Sequence, residues 1–98
     1  MMLLLVLLVS LTTRPSFCSA PCNVAYKAVL VYPAVRGEMC INLDTADGLE
    51  VSHGCRDVEP NGPRVWDAQW IGLGVGDYVG YVTMNGQVVS ALRNVYVS

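Results

Sequence analysis

The sequence has little positive charge, and the positive charge that it has is scattered. Six lysine and arginine residues stand against eight aspartate and glutamate residues, which gives a formal net charge of −2 at pH 7. No run of basic residues occurs in the chain. Contacts with nucleic acid phosphates need clustered lysine and arginine, so this composition argues against nucleic acid as a partner.

The sequence also lacks an apolar run long enough to span a bilayer, which takes about 20 residues. The longest run, at residues 1–9, is followed by Arg14-Pro15 and then by the small residues Ser19 and Ala20. This order is typical of a secretory signal peptide and its cleavage site, and the short run disfavours an uncleaved anchor. We therefore predict that residues 1–20 are a signal peptide and that residues 21–98 form one small domain. The protein is then secreted, extracellular and free of the membrane.

Cysteines are few, and cleavage after residue 20 would leave an odd number of them. The candidates for disulfide formation in an oxidising compartment are then Cys22, Cys40 and Cys55. One of these three would stay free or pair with a second chain, which leaves a homodimer open. Earlier cleavage would add Cys18 and allow two disulfides. A domain this small buries only a small core, so it usually needs such covalent support.

Strands are predicted near both ends of the domain. Residues 24–35 and residues 77–84 are rich in β-branched and aromatic types, as strands are. Asn85-Gly86 is a strong signal for a two-residue hairpin turn, and the residues from 87 onward predict a further strand.

Two short amphipathic helices are predicted between these strands. From about Glu38 apolar residues recur in three-residue steps, and Gly48 stands where a C-cap glycine would. Residues 50–58 carry apolar residues spaced i, i+4, i+7, and Pro60 ends the segment. Strand, two helices and strand in this order predict an α+β fold, a compact βααβ domain with an extra C-terminal hairpin strand.

Histidine is nearly absent, since His53 is the only one in the chain. Cys55 follows two residues later, but His-x-Cys on a helix gives poor geometry for a shared site, and a four-ligand zinc site needs more histidine or cysteine. The carboxylates Asp44 and Asp47 fall on a predicted solvated helix face, which does not suggest glycosidase chemistry. We therefore expect no catalytic residue, no metal and no cofactor, and a protein that is not an enzyme.

Two stretches carry a family resemblance. One is YPAVRGEMCINLD at residues 32–44, followed by Gly48-Leu49, and the other is LGVGDYVGY at residues 73–81. They are similar to the opening and closing patterns of the LysM module, particularly in its secreted fungal form. The resemblance implies a βααβ domain that binds chitin or related N-acetylglucosamine oligomers. For the fungal form it also implies an effector that shields wall fragments.

The resemblance further implies where the glycan lies. In this family the ligand occupies a shallow groove between two loops, and Trp66 is expected to add an apolar face for a sugar ring. The ordinary interpretation of Trp66 and Trp70 is core packing, which we expect for at least one of them. The implied ligand-binding residues are Gly37, Glu38, Met39, Cys40, Glu59, Pro60, Asn61, Gly62 and Trp66.

A second interpretation places no helix in the chain. Residues 37–43 and 49–55 are then strands of an all-β sandwich, which is stapled by a Cys22–Cys55 disulfide. The protein would be a small secreted effector that binds a host protein and no sugar. A third interpretation keeps the LysM fold but leaves it only protein contacts.

Overall fold

A computed structural model describes residues 8–32 and 35–98, and within them the chain forms nine strands and no helix. No helix that could cross a membrane is therefore found in these ranges. The strands are β1 (Val9–Arg14), β2 (Phe17–Cys18), β3 (Cys22–Leu30), β4 (Gly37–Thr45), β5 (Glu50–Val58), β6 (Val65–Leu73), β7 (Gly76–Met84), β8 (Gln87–Val88) and β9 (Arg93–Val97).

The strands form two sheets that pack face to face. One sheet has three strands in the order β1-β3-β6, and the other has six, in the order β2-β9-β7-β4-β5 with β8 paired to β7. The pairing is antiparallel except between β2 and β9. Side chains alternate between the two faces of a strand, so each sheet turns one apolar set inward. The core includes Val24, Ala28, Leu30 and Trp70 from the three-stranded sheet and Met39, Ile41, Leu43, Val82 and Val95 from the six-stranded sheet.

The predicted α+β fold is wrong, and the all-β sandwich that was its alternative is confirmed. The two predicted helices are the antiparallel strands β4 and β5. Every residue from Met39 to Leu43 is buried, because β4 lies inside the six-stranded sheet and is covered on both faces. A strand buried on both faces loses its alternation, and the spacing of its apolar residues then imitates a helix.

The glycine at the end of the first predicted helix lies in a turn between strands. Gly48 has φ +94°, within the turn that joins β4 to β5. The Thr45 N–H donates to the Leu49 carbonyl at 2.8 Å, and the Leu49 N–H donates to Thr45 Oγ1 at 2.9 Å. These bonds close a β-hairpin, and only a residue that tolerates positive φ fits its corner.

The other predicted strands are confirmed with changed boundaries. Asn85 and Gly86 have φ of 50° and 84° and form the predicted hairpin turn between β7 and β8. The strand expected from residue 87 is divided into β8 and β9, and the strand expected at residues 24–35 ends at Leu30. Residues 33–34 lie outside the described part of the chain.

Part of the predicted signal peptide belongs to the sandwich. Residues 1–7 lie outside the described residues, but Val9 and Leu11 of β1 are each 1% exposed in the core. The Arg93 Nε–H donates to the Leu11 carbonyl at 2.7 Å, which ties β1 to β9. Cleavage after residue 20 stays a prediction, and the fold described here is that of the chain with β1 in place.

Candidate functional site

A polar cluster lies on the outer face of the six-stranded sheet, where β4 pairs with β5. Cys40 lies directly opposite Cys55, and Asn42 lies directly opposite His53. Cys40 and Cys55 form a disulfide. Residues i and i+2 of a strand share a face, so the four side chains meet on one side of the sheet. We call these four residues the disulfide–histidine cluster.

Asn42 is the fixed centre of this cluster. It is 4% exposed. Its Nδ2 donates to the Cys40 carbonyl at 3.2 Å and to the Tyr81 carbonyl at 3.5 Å. Because a carbonyl can only accept, these contacts settle which end of the side-chain amide is nitrogen. The Asn42 Oδ1 atom is therefore the end that faces His53.

The orientation of Asn42 determines the tautomer of His53. His53 Nδ1 lies within hydrogen-bond distance of Asn42 Oδ1, which is an acceptor, so Nδ1 carries the proton. In the neutral ring Nε2 is then bare, and it lies 3.2 Å from Cys55 Sγ. The Cys55 sulfur, the His53 imidazole and the Asn42 amide are therefore arranged as in sites where a base activates a cysteine and a third group orients the base.

The two cysteines of the cluster differ in exposure. Cys55 lies on the outermost strand and is exposed, whereas Cys40 is 7% exposed. The second disulfide joins Cys18 to Cys22, so all four cysteines are paired and the predicted Cys22–Cys55 disulfide is wrong. Two intramolecular disulfides leave no thiol for a disulfide to a second chain.

The cluster also contains three atoms of the kinds that bind metals. Cys40 Sγ, Cys55 Sγ and a ring nitrogen of His53 lie within 4.8 Å of one another. A cysteine binds a metal as the thiolate, and here the two sulfur atoms are bonded to each other. In this oxidised form the arrangement is a disulfide beside a base.

Tyr81 of β7 extends the polar face beyond the cluster. Its hydroxyl donates to Asp44 Oδ2 at 2.7 Å. This hydrogen bond to the carboxylate raises the pKa of Tyr81, and burial and the negative charges of Asp44 and Glu50 raise it further. The phenol is therefore held protonated as a hydrogen-bond donor.

Two pairs of like charges flank the disulfide–histidine cluster. Glu38 lies directly opposite Asp57, and Asp44 lies directly opposite Glu50. Like charges in opposite positions of a sheet destabilise it. The positively charged Arg56 does not relieve them from this face, since its guanidinium lies 5.7 Å from the centre of the Trp66 ring of β6. This face of β4 and β5 is therefore acidic at both ends.

The residues implied for glycan binding fall in two segments that do meet. Gly37 to Cys40 begin β4, and residues 59–62 lie in the loop from β5 to β6. Gly37 pairs with Val58, and Arg36, the residue before Gly37, forms an ion pair of 3.4 Å with Glu59. Met39 and Trp66, however, are core residues and offer no accessible surface. Trp70 is buried as well, so core packing holds for both tryptophans. Ligand binding by the exposed members stays a prediction.

The sequence interpretation passed over the disulfide–histidine cluster because it placed His53 and Cys55 on a helix. On a strand the same i, i+2 spacing puts both side chains on one face. Only the pairing with β4 adds Asn42 and Cys40. The pairing is a hairpin whose partners are 11 and 15 positions apart, and the helical prediction for both segments concealed it.

The fold and the cluster define a small disulfide-stapled β-sandwich. It is similar to the sulfur carrier protein SoxY from Chlorobium limicola f thiosulfatophilum, with 17% identity, a TM-score of 0.58, and coverage of 93% of this chain and 79% of that one. It is also similar to the CARDB domain of the PF1109 protein from Pyrococcus furiosus, solved with di-metal ions, with 13% identity, a TM-score of 0.59, and coverage of 91% and 89%.

Identities this low show a common fold and no more. No family of known proteins matches the sequence, and no curated protein does. The LysM resemblance is wrong, because that module is βααβ whereas the described chain and the structures it resembles are all-β. Of the motifs that carried it, residues 37–44 lie on β4 and residues 76–81 lie on β7, where they form strands rather than the borders of helices.

Proposed function

We propose that this protein is a secreted β-sandwich that binds a partner protein by adding an extended, basic segment of that partner to strand β5. The observation that carries the proposal is the free edge of β5 between two pairs of carboxylates. β5 is nine residues long, ends the order of its sheet, and buries only Val58. A host protein is the partner that the all-β interpretation of the sequence expects.

The backbone of β5 has hydrogen-bonding groups that face outward. The Cα atoms of Cys40 and Cys55 are 4.0 Å apart, the close spacing of a pair that exchanges no backbone hydrogen bonds. The N–H and C=O groups of Cys55 therefore point away from β4, as do those of His53 and Asp57, which share its register. An added strand would find these groups unpaired.

The sequence of β5 does little to protect this edge. Natural edge strands are often blocked by proline, by lysine or by short length. EVSHGCRDV is long and contains neither residue, and its formal charges lie at Glu50, Arg56 and Asp57. The middle of the strand is open to a partner.

The carboxylates indicate the charge of the partner. Glu38 and Asp57 form one pair and Asp44 and Glu50 form the other, six positions apart along β4, which is about 20 Å. Positive side chains on an added strand would relieve the repulsion within both pairs. A segment with lysine or arginine on one face, spaced over about six residues, fits this surface.

Two disulfides fit an extracellular protein, because such bonds persist in oxidising compartments. Secretion itself is part of the proposal. It is tested by expressing the whole chain with a C-terminal tag and looking for it in the culture medium.

The binding test is an NMR titration with an eight-residue peptide of alternating lysine and threonine. We expect binding, with slowed amide exchange at His53, Cys55 and Asp57 and little change at Gly54. The same peptide with glutamate in place of lysine should not bind, nor should chitin oligomers. The variant E50Q/D57N should bind the lysine peptide roughly 3- to 10-fold more weakly.

The matched control removes two carboxylates elsewhere. D67N/D77N removes two exposed carboxylates from β6 and β7 and changes the net charge by the same amount as E50Q/D57N. It should therefore bind like the unchanged protein. The proposal fails if both double variants weaken binding equally, since the attraction is then only net charge. It also fails if the amides that become protected do not lie on β5.

A further inference from the structure

We infer that the Cys40–Cys55 disulfide is a thiol-exchange site, in which an external thiol is joined to Cys55 and His53 handles the proton. The inference rests on the exposure of one of the two cysteines, on the burial of the other, and on the imidazole beside them. It is independent of strand addition at β5. Its substrates are small thiols such as glutathione, or the cysteine thiol of a protein.

The structure favours attack at one of the two sulfur atoms. A thiolate displaces sulfur from a disulfide along the line of the S–S bond, from the side opposite the leaving sulfur. Cys55 is exposed on the outermost strand β5, so a thiol can approach it from solvent. Cys40 is 7% exposed and lies on β4, between β5 and β7. We therefore expect attack at Cys55 rather than at Cys40.

The exchange is balanced in atoms and charge. The attacking thiol loses its proton, and its thiolate forms a bond to Cys55 Sγ while the Cys55–Cys40 bond breaks. The electron pair of that bond leaves on Cys40 Sγ, which takes up one proton. A second thiol then attacks the sulfur of the first, releases Cys55 as a thiol and leaves a disulfide of the two external thiols.

His53 is placed to move these protons. Its bare Nε2 lies 3.2 Å from Cys55 Sγ and, by the compactness of the cluster, close to Cys40 Sγ as well. In the reduced protein Nε2 can accept the Cys55 proton and leave a thiolate, which is the nucleophile for the reverse reaction. Asn42 is a positioning residue, because it holds Nδ1 and so aims Nε2 at the sulfur.

The chain contains an internal reference for the test. Cys18–Cys22 is a second disulfide without an imidazole partner among the described hydrogen bonds, and Cys22 is buried. Oxidised full-length protein is incubated with reduced glutathione near neutral pH, quenched with acid and alkylated. Digestion at the acidic residues between Cys40 and Cys55 then locates each adduct by mass spectrometry.

We expect Cys40–Cys55 to open roughly 10-fold faster than Cys18–Cys22, with glutathione attached to Cys55. His53→Gln should slow this opening roughly 10-fold without slowing the opening of Cys18–Cys22. Asn42→Ala should slow it too and should weaken the preference of the His53 proton for Nδ1, where Glu50 Oε1 at 3.8 Å is the more distant acceptor. Equal rates for the two disulfides, or glutathione attached to Cys40, would overturn the inference.

A second measurement tests the role of His53 in a protein without the Cys40–Cys55 disulfide. A change in disulfide geometry caused by the His53 variant therefore does not affect it. Cys40→Ser leaves Cys55 as a single thiol beside His53, and its rate of alkylation by iodoacetamide reports the thiolate fraction. Adding His53→Gln should lower that rate on the order of 10-fold near pH 7, because an unassisted cysteine is only a few per cent thiolate there. An unchanged rate would mean that His53 does not act on Cys55.

Discussion

The ring of Trp70 lies directly on the backbone of Gly80, so that a Cβ atom added to Gly80 would stand 2.8 Å from Trp70 Cη2. Trp70 comes from the three-stranded sheet and Gly80 from the six-stranded sheet, and Tyr26 packs against the indole with 4.6 Å between ring centres. At this point the space between the two sheets holds the Trp70 ring because residue 80 has no side chain.

Gly80→Ala should therefore lower the free energy of unfolding by about 1–3 kcal/mol, the usual cost of overpacking a core. Urea denaturation measures it. Gly54→Ala is the matched control, because a Cβ there meets nothing within 4 Å. Combining Gly80→Ala with Trp70→Phe should recover part of the loss relative to the sum of the single changes. Equal effects of Gly80→Ala and Gly54→Ala would contradict this contact.

Tyr81 should titrate above the ordinary range for tyrosine, because its hydrogen bond to Asp44 favours the neutral phenol. A pKa raised in the folded state gives stability that is fully present below about pH 10 and is lost as pH rises through the folded value. Absorbance titration of the protein minus that of Tyr81→Phe isolates this phenol. Asp44→Asn should lower the pKa of Tyr81, while Glu50→Gln should lower it less. A Tyr81 pKa unmoved by Asp44→Asn would refute the assignment.

His53 should carry its proton on Nδ1 when neutral. It is the only histidine in the chain, so its imidazole signals in ¹⁵N-edited NMR need no assignment. Asn42→Ala removes the hydrogen-bond acceptor at Nδ1 and should weaken the preference for that tautomer, since Glu50 Oε1, 3.8 Å from Nδ1, is a more distant acceptor. Asp44→Asn, whose side chain bonds to Tyr81 instead, should leave the preference intact. Protonation on Nε2 in the unchanged protein would mean that the Asn42 amide has the opposite orientation.

Strand β1 should carry a large part of the stability of the described fold. Full burial of Val9 and Leu11 contributes about 1.5–3 kcal/mol each, or about 3–6 kcal/mol together. A chain of residues 21–98 with Cys22→Ser should therefore unfold at much lower urea than a chain of residues 8–98. The control is residues 8–98 with Cys18→Ser and Cys22→Ser, which separates the loss of the disulfide from the loss of strands β1 and β2. If residues 21–98 match this control, both N-terminal strands are dispensable.

The segments that sequence patterns predict well are those whose local chemistry agrees with their place in the fold. DYVGYVTM alternates buried and partly exposed residues as β7, and Asn85-Gly86 supplies the positive φ that a tight hairpin needs. For β7 and the turn that follows it, the alternation of residues and the residue types of the turn both predict the observed hairpin.

The segments that sequence patterns mispredict are those whose environment is set by distant strands. Residues 39–43 lose their alternation because β5 and β7 flank them and a disulfide covers the outer face. In β5 the apolar Val51 and Cys55 stay exposed while Val58 is buried, so apolar spacing there does not mark a buried face. The disulfide–histidine cluster was missed for the same reason, since its geometry exists only once β4 and β5 have paired.

The first and last strands of the described chain meet in the folded molecule. Arg93 bonds to Leu11 across 82 positions of sequence, β2 runs beside β9, and the Ser98 N–H donates to the Cys18 carbonyl. These contacts join segments that most of the described sequence separates. Forming them requires a long-range and correspondingly slow search, so we expect closure of the sandwich to be slow for a domain of this size.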